Sequence, residues 1–316
     1  MVERNIIIKP YSSDKKTEWD AFIKKAKNPH FMFFRDFMEY HSDRFKDCSF
    51  MIYDGNKLIA LLPANIKNDI LFSHGGLTFG GFIFDYSMMT AIMLQIFKIF
   101  KSHLNEMEIA KLIYKAMPYI FHKYPAEEDR YALFINNAKL TRRDVSSAIM
   151  LGSKPRYSKG RKWIVNKAKK EGLIVEQSYD YDNYWELLAG VLEQSHGVKP
   201  VHSLEEIKRL ADLFKDNIKL FVTKRGDDIL AGTVIFENEI IVHTQYLANS
   251  EKGREIGALD LAVDYLINEV YKDKKYLSFG ISTEQEGRYL NRGLIAQKEG
   301  FGAGTVVHDF YELEII

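Results

Sequence analysis

The feature that most constrains this chain is a repeat. Phe50-Met-Ile-Tyr-Asp-Gly55-Asn-Lys-Leu-Ile-Ala60 returns as Phe221-Val-Thr-Lys-Arg-Gly226-Asp-Asp-Ile-Leu-Ala231, with Phe, Gly and Ala at one constant offset of 171 residues. Each copy reads as strand, tight glycine turn, strand. Each then leads into a third apolar segment carrying a histidine, over 70–74 and 240–247. Helix-like apolar spacing follows in both, over 88–104 and 258–270. In the second stretch Leu259, Ala262, Val263, Leu266, Ile267 and Val270 share one face, and Asp260, Asp264 and Asn268 lie opposite. A strand over 275–281, a helix over 289–298 and a last strand over 306–313 complete the second copy. The order there is helices, three strands, helix, strand, helix, strand. Two such copies predict two domains, 1–150 and 151–316, in an α/β (α+β) chain. Each domain is a mixed, largely antiparallel sheet flanked by helices. At 316 residues and 46% hydrophobic, the chain can supply two cores.

Lys plus Arg number 44 against 43 Asp plus Glu, a net charge of +1, so no global field drives the chain onto a polyanion. The charge is uneven, however. Segment 139–172 holds Lys139, Arg142, Arg143, Lys154, Arg156, Lys159, Arg161, Lys162, Lys167, Lys169 and Lys170 against Asp144 and Glu171 alone. It reads either as a solvated helix face around 164–170 or as a phosphate site. The N-terminus lacks the basic-then-apolar order of a signal peptide. The longest apolar stretch, 88–100, is broken by Gln95 and Lys98, and a span needs about 18 apolar residues. A cytoplasmic protein with no membrane insertion is expected. One cysteine, Cys48, excludes an intramolecular disulfide and a Cys-based zinc cluster, and reads as a partly buried hydrophobe. The aromatic run 31–37 reads as core, and Arg35 within it needs an anionic partner.

The segment from Tyr246 to Leu259 reads as a strand end, a polar glycine-containing loop and the start of an amphipathic helix. Such a junction aligns unpaired N–H groups with the positive end of a helix dipole, where a diphosphate is the natural guest. Gly253 and Gly257 would allow close backbone approach, and Arg254 would reach a phosphate.

Here the residues resemble a known family. Arg254-Glu-Ile-Gly257-Ala-Leu259 is similar to the Arg/Gln-x-x-Gly-x-Gly/Ala diphosphate loop of the GNAT superfamily of acyl-CoA-dependent N-acyltransferases, with Leu259 in place of the final small residue and Ala258 beside it. Phe279-Gly-Ile-Ser-Thr-Glu284, Gly287-Arg-Tyr-Leu-Asn291, Lys298-Glu-Gly-Phe-Gly302-Ala and Asp309-Phe-Tyr311 resemble the FemAB-like branch of tandem-GNAT proteins. In the first half, Asp43-Arg-Phe-x-Asp47, Leu62-Pro-Ala-Asn65 and Ser73-His-Gly-Gly-Leu-Thr-Phe-Gly-Gly81 agree with it. With Pro200-Val-His-Ser203, the blocks are similar to the group that acylates dTDP-linked 3-amino-3,6-dideoxyhexoses for bacterial O-antigen, capsule or S-layer.

The resemblance implies attack of an amine on a thioester in a ternary complex, with acyl-CoA (acetyl-CoA or a short hydroxyacyl-CoA) as co-substrate and no metal. It implies a nucleotide-linked amino sugar as acceptor and no nucleic acid. Tyr246, Leu247, Ala248, Arg254, Glu255, Ile256, Gly257, Ala258 and Asn291 would hold CoA, with backbone N–H groups near Tyr246 and Leu247 facing the oxyanion. His243, Glu284 and His196 are the candidate bases. His243 also reads as a core histidine, and Glu284 as a surface carboxylate. Arg35, His74, Gly75, Tyr157, Arg161, Lys162, Trp163 and His202 are the acceptor candidates. A tight turn needing φ > 0 would by itself explain His74-Gly75-Gly76. The first copy lacks the diphosphate motif after Gly80-Gly81, so one CoA per chain is expected. Two rivals stay open: an aminoacyl-tRNA-dependent peptidoglycan transferase, and a non-catalytic binding module.

Overall fold

The computed structural model describes residues 4–153 and 156–315, and only the backbone at His196; Lys154 of the basic segment lies outside the described residues. They form two compact units. The first takes residues up to Asp144, with Gln285–Arg288 and residues from Val307 onward; the second takes Val145–Glu284 and Tyr289–Val306.

The first unit runs β1 (Ile6–Pro10), α1 (Lys16–Lys25), α2 (Arg35–Met38), β2 (Lys46–Asp47), β3 (Phe50–Asp54), β4 (Lys57–Leu62), β5 (Asn65–Lys67), β6 (Ile70–Phe72), β7 (Ile83–Phe84), α3 (Thr90–Glu106), β8 (Lys111–Lys115) and α4 (Glu128–Ile135). β1, β3, β4 and β7 form one antiparallel sheet, and β8, β6, β5 and β2 lie side by side in another. The predicted hairpin is present, with Gly55 at φ 59 in its turn. α3 buries Met93, Ile96, Phe97, Phe100 and Leu104, the spacing of one helix face, against Phe50, Ile52, Leu62, Phe82 and Phe84. Cys48 packs partly buried against this core. Phe31, Phe33 and Phe37 are buried. Arg35 beside them finds its anions inside the unit: it pairs with Glu39 at 3.0 Å and Asp47 at 3.3 Å, and its guanidinium lies 3.8 Å from the Tyr11 ring centre.

One expectation is corrected at 70–76. β6 ends at Phe72, and it is His74, not the glycines, that takes the left-handed conformation, at φ 76. Gly75 and Gly76 are required by packing instead. A Cβ on Gly76 would stand 2.3 Å from His41 Nε2 and 2.6 Å from Phe45, and one on Gly75 would stand 3.1 Å from Phe45. The turn is anchored by Lys115, whose ammonium donates to the carbonyls of Gly75 (2.9 Å) and Leu77 (2.8 Å).

β9 (Lys139–Met150) passes from the first unit into the second. There follow α5 (Lys159–Ala168), β10 (Ile174–Ser178), α6 (Tyr181–His196), α7 (Leu204–Leu213), β11 (Ile218–Arg225), β12 (Asp228–Glu237), β13 (Ile241–Asn249), α8 (Glu251–Ile256), α9 (Ala258–Tyr265), β14 (Tyr276–Ile281), β15 (Thr283–Glu284), β16 (Tyr289–Leu290), α10 (Arg292–Glu299) and β17 (Gly304–Glu314). The strands lie in the order β10-β11-β12-β13-β14, with the end of β9 antiparallel beside β14. Only the β13–β14 pair among them is parallel. Ile149, Phe221, Ile235, Val242 and Leu277 cover one face of this sheet and pack on Val263, Leu266 and Ile267. Local structure departs from expectation in four places. β10 is an edge strand with little burial and hence little pattern. The helix over 258–270 closes as a π turn from Leu266. α10 starts only at Arg292, because the Asn291 side chain caps it. The basic segment splits between strand β9 and helix α5.

Burial in the first unit sets its acid stability. His74 is pushed down to about 3, and His122 and His308 to about 4, each chiefly by desolvation. A histidine buried neutral contributes stability above its unfolded pKa of about 6.5, lost as pH falls toward the folded value. Asp129, raised to about 6 by burial, acts in the opposite sense below that pH. These four groups together predict a loss of about 3 kcal/mol per pH unit between pH 6 and 4, which Asp20, also raised by burial, partly offsets. Urea midpoints across that range, for the native chain and His308→Asn, would read it; a flat profile would refute it.

Candidate functional site

The second unit contains an opening made by its own strands. β13 and β14 pair in parallel only from Ile241↔Tyr276 to His243↔Ser278. Past that point, among the described residues, no strand pairs with the β14-facing edge of β13 from Gln245 onward. Two irregularities produce the parting. On β13, Gln245 is an extra residue between Thr244, opposite Ile235, and Tyr246, opposite Val234. Such a bulge bends the strand. On β14, Gly280 sits at φ 73, and the buried Lys298 of α10 donates to the carbonyls of Gly280 (3.0 Å) and Ile281 (2.7 Å) and to Ser282 Oγ (2.8 Å). Burial pushes this ammonium down to about 8. Among the described residues Gln245 Oε1 is buried without a hydrogen-bond partner, a state that costs about 1–3 kcal/mol until a donor arrives.

Polar groups gather beside the parting. His243 is buried, with Nδ1 3.1 Å from Ser278 Oγ. Its strand partner Phe236 faces the His202 ring, which places His243, Phe236 and His202 on one sheet face. Tyr246 joins them: its hydroxyl bonds to His202 Nδ1, and its ring packs edge-on to Trp185 at 5.1 Å. The buried Tyr184 hydroxyl donates to the Gly232 and Tyr246 carbonyls, both at 3.3 Å. Of the sequence candidates, His243, Tyr246 and His202 thus come together. Leu247 and Ala248 continue the unpartnered edge. His196 is the last residue of α6. Glu284 is exposed and accepts from Asn291 Nδ2 at 2.9 Å, while Asn291 Oδ1 accepts the Leu294 N–H at 3.0 Å. Ser278, Trp185, Gln245 and Lys298 were not among the sequence candidates. Only Lys298 had a signal, its place in the Lys-Glu-Gly-Phe-Gly block.

The expected open glycine loop is corrected. Residues 251–256 are helix α8, capped by Ser250, and the Arg254 and Gly257 N–H groups already bond to the Ser250 and Gly253 carbonyls. Gly257, at φ 79, packs under α5: a Cβ there would stand 3.3 Å from Ile164 Cγ2 and 3.4 Å from Ala168. Asp260 occupies the first turn of α9, where a phosphate would sit, and forms an ion pair with Arg161. Lys167 donates to the Glu255 carbonyl at 2.9 Å, and Lys169 pairs with Asp264 at 2.8 Å. As arranged, the Arg254 and Gly257 N–H groups are engaged within the chain rather than presented to a diphosphate. Arg254 and Glu255 are exposed, and Arg254 lines a groove of about 770 Å³ with Asn183, Glu186, Asp228 and Glu251.

The acceptor candidates on α5 and before it divide. Tyr157 packs edge-on to Phe301 at 5.3 Å and accepts from Asn268, and Arg161 lies over Phe301 and donates to the Gln297 carbonyl at 3.1 Å. Lys162 and Trp163 face outward. Arg35, His74 and Gly75 belong to the first unit, where Arg35 and His74 are buried.

No protein-family model matches the sequence, and no curated protein does. Solved structures with the same fold are found. FemX gives a TM-score of 0.68 at 11% identity, covering 98% of this chain and 97% of that one. L-PGS from Bacillus licheniformis gives 0.63 at 15% identity, covering 97% and 93%. A tandem GNAT protein from the clavulanic acid biosynthesis pathway gives 0.52 at 8% identity, covering 99% of both. The chain has the tandem-GNAT, FemAB-like fold. Among the described residues no helix is long and apolar enough to cross a membrane.

Gly257→Ala should cost about 1–2 kcal/mol, because a left-handed position with a covering helix penalises any Cβ. A urea midpoint unchanged from the native chain would contradict the packed junction.

Proposed function

We propose that this protein is an N-acyltransferase whose reaction takes place at the parting of β13 and β14. The observation that carries the reading is that parting itself: an unpartnered strand edge with a buried, unsatisfied acceptor at Gln245, beside His243–Ser278 and Tyr246–His202. An acyl carbonyl laid along β13 meets backbone N–H groups near Tyr246 and Leu247, which stabilise the oxyanion. The amine nitrogen bonds to the carbonyl carbon and its proton passes to His243. Ser278 orients that ring. The donor's carbon–sulfur bond then breaks, and the thiolate is protonated as it leaves.

The donor is a short acyl-CoA and the acceptor the amine of a nucleotide-linked 3-amino-3,6-dideoxyhexose, a precursor of bacterial surface polysaccharide. This finer assignment rests on the sequence blocks quoted above. The closed α8–α9 junction favours a second reading for the donor, an aminoacyl ester of tRNA, which brings no diphosphate to that place.

Thiol release from acetyl-CoA in the presence of a dTDP-linked amino sugar tests the first reading, and consumption of aminoacyl-tRNA tests the second. tRNA dependence would weaken steeply with salt. His243→Ala should lower kcat by about a hundredfold, the scale of a general base, with the donor KM little changed. Near-native kcat in that variant would remove His243 from the chemistry. Absence of turnover with both donors would defeat the proposal.

A further inference from the structure

The helix that closes the α8–α9 junction presents an unexpected outer surface. α5 sorts its residues by face. Arg161, Ile164, Val165 and Ala168 turn inward, and Arg161 is spent on Asp260 and the Gln297 carbonyl. Lys159, Lys162, Trp163 and Asn166 are exposed, as is Lys170 in the turn just past the helix end. At about 100° per residue the four helical residues fall within one stripe, neighbours at i+3 and i+4 standing roughly 5–6 Å apart. Lys159, Lys162 and Lys170 form no ion pair among the described residues. Helix ion pairs therefore do not account for this stripe.

Trp163 separates the stripe from an ordinary solvated face. It is 64% exposed, whereas Trp19 is 0% and Trp185 6% exposed. One cation flanks its indole: Lys167 Nζ lies 5.7 Å from the ring centre while the same ammonium bonds the Glu255 carbonyl at 2.9 Å. An exposed indole among ammonium groups without ion pairs matches a ligand with a planar ring and an adjacent anionic chain.

We propose that the outer face of α5 binds the nucleoside diphosphate part of a substrate, its base stacked on Trp163 and its phosphates on Lys159 and Lys162. The phosphate-binding task that the glycine junction would have served thus moves to the helix covering that junction. The assignment takes its substrate class from the function proposed above, but it is tested by binding alone.

Trp163 is itself the probe, being the exposed member of the three tryptophans. Titration of the full chain with dTDP, UDP and CoA should change its emission saturably, with a Kd in the micromolar to low millimolar range that rises several-fold from 50 to 300 mM salt. Tighter binding of dTDP or UDP identifies the acceptor as the source of the nucleotide, and tighter binding of CoA identifies the donor. Lys159→Glu with Lys162→Glu should weaken binding at least tenfold. These surface changes should leave the urea midpoint in place, which excludes a folding explanation. Calorimetry on Trp163→Ala supplies the same comparison without the fluorophore. No saturable change up to about 5 mM ligand, or an unchanged Kd in the charge-reversed variant, would overturn the proposal. So would a short oligoribonucleotide that binds far more tightly than any nucleoside diphosphate, since the surface would then serve RNA. Binding intact with no acyl transfer would instead refute the enzymatic reading and leave this one standing.

Discussion

The second unit depends on one buried ammonium. Lys298 uses three donors on Gly280, Ile281 and Ser282, and so ties the end of β14 to α10 rather than to β13. Parallel strands gain from continuing their ladder, so a parted pair needs something to satisfy the carbonyls it gives up. Lys298 supplies that for β14, and Gly280 supplies the left-handed turn that redirects the chain. On β13 a different group is left over: among the described residues the side-chain Oε1 of the bulged Gln245 is buried without a partner. A fold that leaves an acceptor unmet at an open strand edge retains capacity for a ligand there.

A second constraint acts just past the C-terminal end of β13. The chain carries a motif that in isolation reads as an anion loop, yet Ser250 caps a short helix over the same residues and α5 lies on Gly257. Asp260 takes the place of an anion at the start of α9, with Arg161 as its counter-charge. The cations in the basic segment are consequently of two kinds. Arg161 and Lys169 are paired with carboxylates, Lys167 with a carbonyl; Lys159, Lys162 and Lys170 remain outward. A local excess of charge had no single meaning, because helical periodicity sorts neighbouring residues to opposite faces.

The same sorting separates what was legible in the sequence from what was not. The Asp-Gly and Arg-Gly hairpins, α3 and α9 follow from residue spacing within a few positions. So did the burial of Phe31, Phe33 and Phe37 and the need of Arg35 for an anion, because both follow from composition over a short window. At His74-Gly75-Gly76 the local reading failed, since the glycines answer to His41 and Phe45, which approach from elsewhere in the chain. Bulged Gln245 shows no local mark, because a bulge is a relation between two strands.

Taken alone, then, the amino-acid sequence determined a duplicated sheet-and-helix architecture, its hairpins and its helical faces, since those depend on periodicities of two and about 3.6 residues and on turn chemistry. It also marked His243, Tyr246 and His202 as candidates. Tertiary structure alone decided that these three share one sheet face, that Ser278 and Lys298 serve the parting of the strands, and that α5 closes the glycine junction. Each of these is a contact between residues distant in the chain. Their positions are set by how strands and helices pack, which local spacing does not encode.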